Sequence, residues 1–355
     1  MFKENYHVIG VMSGTSLDGI DVAELFLHHE DNTWSFTFGH TGTFPYESDW
    51  IIQLQDAINY STEQLQNLNT SYTHYLSKII KAFINKHQIQ NIDAVCSHGH
   101  TVLHQPENGI TLQIGNLSHI AKLTNQTVVC DFRVQDVQLG GQGAPLVPIG
   151  DRLLFLEFDF CLNLGGFANI SFEKTGNRIA YDICPVNTVL NYWAEQKGLP
   201  YDDQGSLASS GKLNEELYKR LNELEFYQLH APKSLGIEFL NLKIHPLFKS
   251  FQITPEDALR TFTEHIAFQI GKSLPSEECK ILVTGGGAYN CFLMDRIKNI
   301  HPKLEILIPE KEIIEYKEAL IFGLLGVLKL RKEINVLSSV TGATSDHSSG
   351  NIFLP

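Results

Sequence analysis

The chain has 355 residues, 43% of them hydrophobic and 19% charged, with 40 acidic against 27 basic side chains and a formal net charge of −13. This length and apolar mass predict two packed domains and exclude a disordered chain. The acidic balance argues against nucleic acid and against an anionic membrane surface as partners, so any phosphate must be held by backbone amides, a metal ion or a few local cations. No stretch is apolar for the ~20 residues that a membrane helix needs. The opening residues Met1 to His7 lack the basic segment, apolar run and cleavage site of a signal peptide, which predicts a cytoplasmic protein. The six cysteines have no metal-ligand spacing and read as reduced, mostly buried thiols.

The segment His7 to Met12 is apolar and β-prone, breaks at Ser13-Gly14-Thr15-Ser16-Leu17-Asp18-Gly19, and resumes as Ile20 to Leu27. That pattern predicts a hairpin with a glycine-rich tip, and the alternation in Trp34 to Phe38 predicts a third antiparallel strand. Ser61-Thr62-Glu63-Gln64 fits a capping box, and Leu65, Leu68, Tyr72, Leu76, Ile79, Ile80 and Phe83 follow at helical spacing. Short strands are expected at Asp93 to Cys96, Ile110 to Ile114 and Thr127 to Cys130. The glycine- and proline-rich stretch Asp131 to Asp151 is the best candidate for a domain crossing. Beyond it, Phe158 to Leu164, the turn Gly165-Gly166 and Phe167 to Phe172 repeat the strand, glycine turn and strand of the opening.

Two domains that each begin this way suggest the architecture of actin, hexokinase and Hsp70: a two-domain α/β, ribonuclease H-like ATPase fold in which the two turns hold the phosphates of ATP across a cleft. The expected domains are 1–135, joined by the tail 335–355, and 136–334. A third glycine cluster, Gly285-Gly286-Gly287 with Asn290, follows the strand Lys280 to Val283 and precedes a helix from Cys291. Glycines at a strand end let a nucleotide approach the backbone closely. A last, mostly apolar helix is expected over Lys317 to Arg331.

In the first turn Gly14 and Gly19 permit tight backbone, Thr15 and Ser16 offer donors to phosphate, and Asp18 and Asp21 could orient Mg²⁺ through its water shell. A plain hairpin turn is the competing reading for one copy; three glycine clusters at strand ends outweigh it. Neither the P-loop nor the dinucleotide fingerprint occurs. Ser97-His98-Gly99-His100-Thr101 with His104 reads as substrate lining rather than zinc ligands, because no third ligand converges. Arg133 suits a substrate carboxylate in forked geometry, or equally a structural salt bridge with Asp131 or Asp136. Asp182, ending a strand before Pro185 and Asn187, suits a general base, or equally a cap for the helix starting near Asn187.

These motifs resemble, along nearly the whole chain, the anhydro-N-acetylmuramic acid kinase family. The resemblance rests on Gly10 to Asp21, Ser97-His98-Gly99, Gln113-Ile114-Gly115-Asn116, Asp131-Phe132-Arg133, Gly140 to Pro148 and Asn163 to Asn169. It continues through Asp182 with Pro185 and Asn187, Pro232-Lys233-Ser234, Gly285 to Asn290 and Val340-Thr341-Gly342-Ala343. It implies ATP with Mg²⁺, with Gly14, Thr15, Ser16, Asp18, Gly19, Asp21, Gly165, Gly166, Asn169, Gly285, Gly286, Gly287 and Asn290 at the nucleotide and Asp18 at the metal. It implies the anhydro sugar as substrate, held by His98, His100, Gln113, Asn116, Arg133, Gln142 and Glu318. Asp182 matches the family's base, which activates water against the anomeric carbon while the freed O6 takes the γ-phosphate. A homodimer rests on the resemblance alone. His100 stands where many members carry glutamine, and Cys184-Pro185-Val186-Asn187 replaces a Gly-Pro-Gly-Asn turn. A kinase of the same fold acting on another amino sugar, without ring opening, is the alternative.

Overall fold

The computed structural model describes residues 2–14 and 16–355, and the chain divides into two compact units, Met1–Leu154 with Tyr316–Pro355, and Phe155–Glu315. In the first unit β1 (Asn5–Ser13), β2 (Ile20–Glu30) and β3 (Thr33–Phe44) form an antiparallel meander, the glycine-tipped hairpin and third strand expected from the sequence. β4 (Ala94–Gln105) runs parallel to β1, β5 (Ile110–Ile114) folds back on β4, and β6 (Val128–Cys130) runs parallel to β4. The last strand, Asn351–Phe353, closes the edge antiparallel to β6.

The helix Thr62–Lys86 starts at the expected capping box, in which the Gln64 amide donates to Ser61 Oγ (3.3 Å) and the Ser61 amide to Gln64 Oε1 (2.8 Å). Its buried face, with Leu68, Tyr72, Leu76, Ile80 and Phe83, packs in one cluster with Ile9, Val11, Val22 and Val95 of the sheet. Each large apolar side chain so covered contributes about 1.5–3 kcal/mol.

β4 does not stop at Cys96; it continues through the histidine motif to Gln105. Gly99 makes this possible: its φ is 73°, and a Cβ there would lie 2.5 Å from the Ile114 carbonyl oxygen. The register with β1 shifts here, from Val11 opposite Ser97 to Ser13 opposite His100. A bulge of this kind re-aims neighbouring side chains.

The stretch Asp131 to Asp151 is built into the first unit. Buried Asp136 accepts from the Gly143 amide (2.6 Å) and from Thr341 Oγ1 (2.7 Å), and the Gln142 amide donates to the Thr341 carbonyl (2.8 Å). The chain passes to the second unit after Leu154 and returns within the helix Lys311–Leu330, which begins six residues earlier than its apolar run suggested.

In the second unit β7 (Phe160–Leu164), β8 (Phe167–Lys174) and β9 (Asn177–Pro185) are antiparallel, β10 (Cys279–Thr284) runs parallel to β7, and β11 (Leu304–Leu307) parallel to β10. The spatial order β11-β10-β7-β8-β9 repeats the order β6-β4-β1-β2-β3 of the first unit. The duplication read from two glycine turns therefore extends to the whole sheet. Ile170, Ile183, Ile281 and Val283 join Phe262, Ile266 and Ile270 of the helix Pro255–Ser273 in this unit's core. No helix among the described residues is long and apolar enough to cross a membrane. Five cysteines are buried, Cys291 is exposed, and none forms a disulfide.

Candidate active site

The first glycine turn links β1 to β2, with Leu17 at φ 60° and Ser16 Oγ donating to Asp18 Oδ1 at 2.7 Å. Thr15 lies outside the described residues. Gly19 has no room for a side chain, since a Cβ would stand 2.7 Å from the Phe44 carbonyl oxygen, whereas at Gly14 a Cβ would come no nearer than 3.3 Å, to Ser16 Oγ. Asp18 is exposed at the tip; Asp21, on β2, accepts from Thr43 Oγ1 at 2.6 Å.

Glu318, on the helix Lys311–Leu330, reaches solvent, yet its carboxyl is pushed above the usual range. Loss of hydration is the main cause; Asp21 and Asp18 add like charge, against the pull of Arg133 and Lys317. Three carboxylates thus share one field, which suits a divalent cation. No three His, Cys, Asp or Glu side chains among the described residues converge as a direct ligand set. Asp18 and Asp21 could meet a cation through its waters.

Arg133 is held by two acceptors: its Nε donates to His98 Nε2 (2.8 Å) and its Nη1 to the Gly143 carbonyl (2.6 Å). The other ring nitrogen of His98, Nδ1, lies 3.0 Å from the Gly99 carbonyl, so the imidazole carries its proton on Nδ1 and accepts at Nε2. Burial, and then the charge of Arg133, keep this histidine well below the ordinary imidazole range and therefore neutral. Burial lowers the arginine only to about 10, so it stays charged. Neither carboxylate weighed as its salt-bridge partner takes that role: Asp131 accepts from Asn351 Nδ2 (2.9 Å), and Asp136 from Gly143 and Thr341. Arg133 Nη2 makes no hydrogen bond with the described residues and remains available to a ligand. With both ring nitrogens occupied, His98 orients Arg133.

Asn116 joins this group, its Nδ2 donating to the His98 carbonyl (3.2 Å) while its Oδ1 is buried without a partner among the described residues. Gln113 is buried on β5, its Nε2 donating to Thr111 (2.9 Å) and Thr101 (3.3 Å), and its Oε1 likewise unpartnered. His100 Nδ1 bonds Ser13 Oγ (2.8 Å), and Gln142 has an exposed side chain.

In the second unit the Gly165-Gly166 turn joins β7 to β8 and is fastened to the start of the helix Asn187–Glu195. The Gly166 carbonyl accepts from the Val186 amide and from Thr188 Oγ1 (2.8 Å each), and the Gly165 carbonyl from the Asn187 amide (3.2 Å). Asn169 is exposed on β8. The third cluster divides by role. A Cβ on Gly285, whose φ is 81°, would lie 2.8 Å from the Leu164 backbone, and one on Gly287 would lie 2.7 Å from Leu164 Cβ. At Gly286 it would meet only Asn187 Nδ2, at 3.6 Å. Two glycines thus let the chain pack on β7, and one leaves space for a ligand. Asn290 commits its side chain to the helix Cys291–Ile300, Oδ1 accepting from the Leu293 amide at 3.0 Å.

Asp182, where the sequence ended the strand, lies inside β9, which runs on to Pro185. It pairs with Asn169 where the register shifts between Ala168 and Asn169, so a bulge sets its direction. Its Oδ2 accepts from the Leu235 amide at 2.8 Å, and its own amide donates to the Lys233 carbonyl at 3.1 Å. The carboxylate therefore does not cap the helix at Asn187. Burial pushes it above the usual carboxylate range, opposed by the Leu235 amide.

Lys233 and Leu235 received no role from the sequence, although Pro232-Lys233-Ser234 was among the motifs that signalled them. Lys233 Nζ stands over the Phe226 ring (4.6 Å) and donates to the Phe226 carbonyl (3.4 Å).

Two sheets of one order, each opening with a strand, glycine turn and strand, define the two-domain actin-like, ribonuclease H-like class. The family model described as anhydro-N-acetylmuramic acid kinase matches residues 6–355. A protein of that name from Pseudomonas savastanoi pv. phaseolicola is 34% identical over 98% of this chain and 99% of its own length. Its namesake from Pasteurella multocida is 36% identical over 99% and 98%. Among solved structures, a ROK family glucokinase from Streptomyces griseus matches 90% of this chain and 99% of its own at 12% identity and a TM-score of 0.41, a weak likeness. The chain belongs to the anhydro-N-acetylmuramic acid kinase family and is a kinase, a phosphoryl-transferring enzyme.

Proposed function

We propose that the protein uses ATP and Mg²⁺ to open 1,6-anhydro-N-acetylmuramic acid hydrolytically and to phosphorylate its O6, giving N-acetylmuramic acid 6-phosphate for cytoplasmic peptidoglycan recycling and amino-sugar catabolism. The observation that carries this reading is Asp182, an aspartate with a raised pKa, aimed by a bulge and held through one oxygen by the Leu235 amide. Its other oxygen takes a proton from water as the water oxygen bonds the anomeric carbon. The bond from that carbon to O6 breaks, and O6 takes the γ-phosphoryl group as ADP leaves. Arg133 meets the lactyl carboxylate, and Glu318 accepts from a sugar hydroxyl. The two glycine turns offer amides to the phosphates, and Gly286 leaves room for the nucleoside. Asp18, with Asp21, would hold Mg²⁺ through its waters, and the ion would supply positive charge for phosphoryl transfer. The unit of β1 to β6 carries the first phosphate turn and the proposed sugar contacts, and the unit of β7 to β11 carries Asp182 and the second turn.

A coupled assay tests the reading: ATP consumption should depend on the anhydro sugar, with one phosphate ester formed per ATP. Phosphorylation of N-acetylglucosamine with no turnover of the anhydro sugar would replace it with an ordinary amino-sugar kinase.

The third glycine cluster gives a paired expectation. Gly286→Val should keep the melting temperature within a few degrees and weaken ATP binding more than about tenfold, because only a ligand occupies that space. Gly285→Ala should instead lower the melting temperature, because it meets backbone at a left-handed φ. Thermal unfolding and nucleotide titration on both variants read the difference.

A further inference from the structure

Two helices of the first unit meet through a buried ion pair. Lys317 Nζ lies 2.7 Å from Asp151 Oδ1, joining the helix Lys311–Leu330 to the helix Val147–Leu154, and both residues are at most 6% exposed. The desolvation of such a pair offsets much of its attraction, so stability is a weak reason for its presence. The residue that follows Lys317 is Glu318.

Successive residues of a helix are turned by about 100°, so Lys317, Glu318 and Ala319 begin three separate faces. Ile321, one turn beyond Lys317, packs on Gly150, where a Cβ would lie 2.5 Å from Ile321 Cγ1, so this face belongs to the helix Val147–Leu154. The face of Ala319 belongs to the sheet. A Cβ on Gly10 would overlap the Ala319 carbonyl, and Cβ atoms on Gly323 and Gly326 would overlap Leu25 and Cys96. Between the two, Phe322, one turn beyond Glu318, sets its ring against His98 (centroids 4.6 Å apart) and Phe132 (5.7 Å). Glu318 therefore lies on the face of the histidine that orients Arg133.

The Glu318 carboxylate makes no hydrogen bond and no ion pair with the described residues, and its side chain is exposed. No contact of its own fixes its direction. The helix enters the first unit at Tyr316, whose hydroxyl reaches only the exposed Thr43 Oγ1, at 3.3 Å. Lys317 is thus the first buried residue of the helix within this unit, and its pairing with Asp151 fixes the turn from which Glu318 projects.

We propose that Lys317, anchored by Asp151, is a positioning residue that directs the Glu318 carboxylate toward a hydroxyl of the bound sugar. The choice of sugar rests on the proposed function; the anchoring rests on the packing of the helix.

A double-mutant cycle tests this. Lys317→Met combined with Asp151→Leu removes both charges and leaves no lone buried ion, so the melting temperature should stay within a few degrees of the wild type. The kcat/KM for the anhydro sugar should nevertheless fall by about tenfold or more, with KM for ATP within about twofold, because a displaced contact harms only the substrate it meets. Made in a Glu318→Gln protein, the same pair of substitutions should cost less than about twofold, since the group they direct is already altered. If the paired variant fails to fold, Asp151→Asn, which leaves Lys317 a neutral acceptor, goes through the same cycle with an expected loss of about threefold or more. An unchanged kcat/KM in the folded variant makes the pair purely structural and overturns the proposal. So does an equal loss with and without Glu318, or normal turnover by Glu318→Gln itself. A wild type that spares the anhydro sugar and phosphorylates N-acetylglucosamine sinks the proposed function instead, and the same cycle run on that sugar still decides the role of Lys317.

Discussion

Asp182→Asn should lower turnover by about a hundred-fold or more, the loss typical of removing a general base, while folding and ATP binding survive. Asparagine keeps an oxygen to accept from the Leu235 amide, so the side chain stays where the bulge puts it and only its basicity is removed. The wild-type rate should fall as pH drops through the pKa of Asp182, and that limb should sit above the pH of an ordinary aspartate because burial raises the value. The stability effect has the opposite sense. A carboxyl with a raised native pKa binds its proton more tightly folded than unfolded, so the stability this adds is present in acid and lost as pH rises through the native value. At neutral pH the charged Asp182 is therefore a burden on the fold, and Asp182→Asn should melt at or above the wild-type temperature while being nearly inactive. In isotopically labelled water, early product should carry the label on the anomeric hydroxyl and the original ether oxygen in the phosphate ester. The label must be read before the free reducing end exchanges. Normal turnover by Asp182→Asn, or early product without solvent oxygen at the anomeric carbon, would remove the hydrolytic mechanism.

Arg133→Ala should reduce kcat/KM for the anhydro muramic sugar by roughly ten- to a hundred-fold, corresponding to about 1.5–3 kcal/mol for a hydrogen bond between charged groups. The analogue without its lactyl carboxylate should lose far less. Arg133→Lys should not restore the wild type, because one ammonium on a flexible stem cannot reproduce the forked contacts to His98 Nε2, the Gly143 carbonyl and a carboxylate together. Equal losses for the two sugars would assign Arg133 to holding the Gly143 loop instead of recognising substrate.

What was legible in the sequence is local. Two hairpins with glycine turns, the period-two strands around them and the capping box at Ser61 all depend on residues within a few positions of one another, so alternation and spacing expose them directly. The ordered motifs added the family and the residues to watch, including Arg133, Asp182 and Glu318. The tertiary structure decided what those residues are free to do. It carried β4 on through the histidine motif because Gly99 admits the Ile114 carbonyl. It gave Asn290 a helix to cap and took Gly285 and Gly287 for packing on β7, leaving Gly286 alone with open space. It oriented Arg133 from His98, 35 residues earlier, and Asp182 from Leu235, 53 residues later. A hydrogen-bond partner that far along the chain leaves no periodic trace, because its position is set by how strands and loops pack and not by the spacing of side chains on any one of them. The sequence by itself therefore determined the paired sheets, their turns and the family, while only the packed chain decided which polar groups are already satisfied and which remain open to a ligand.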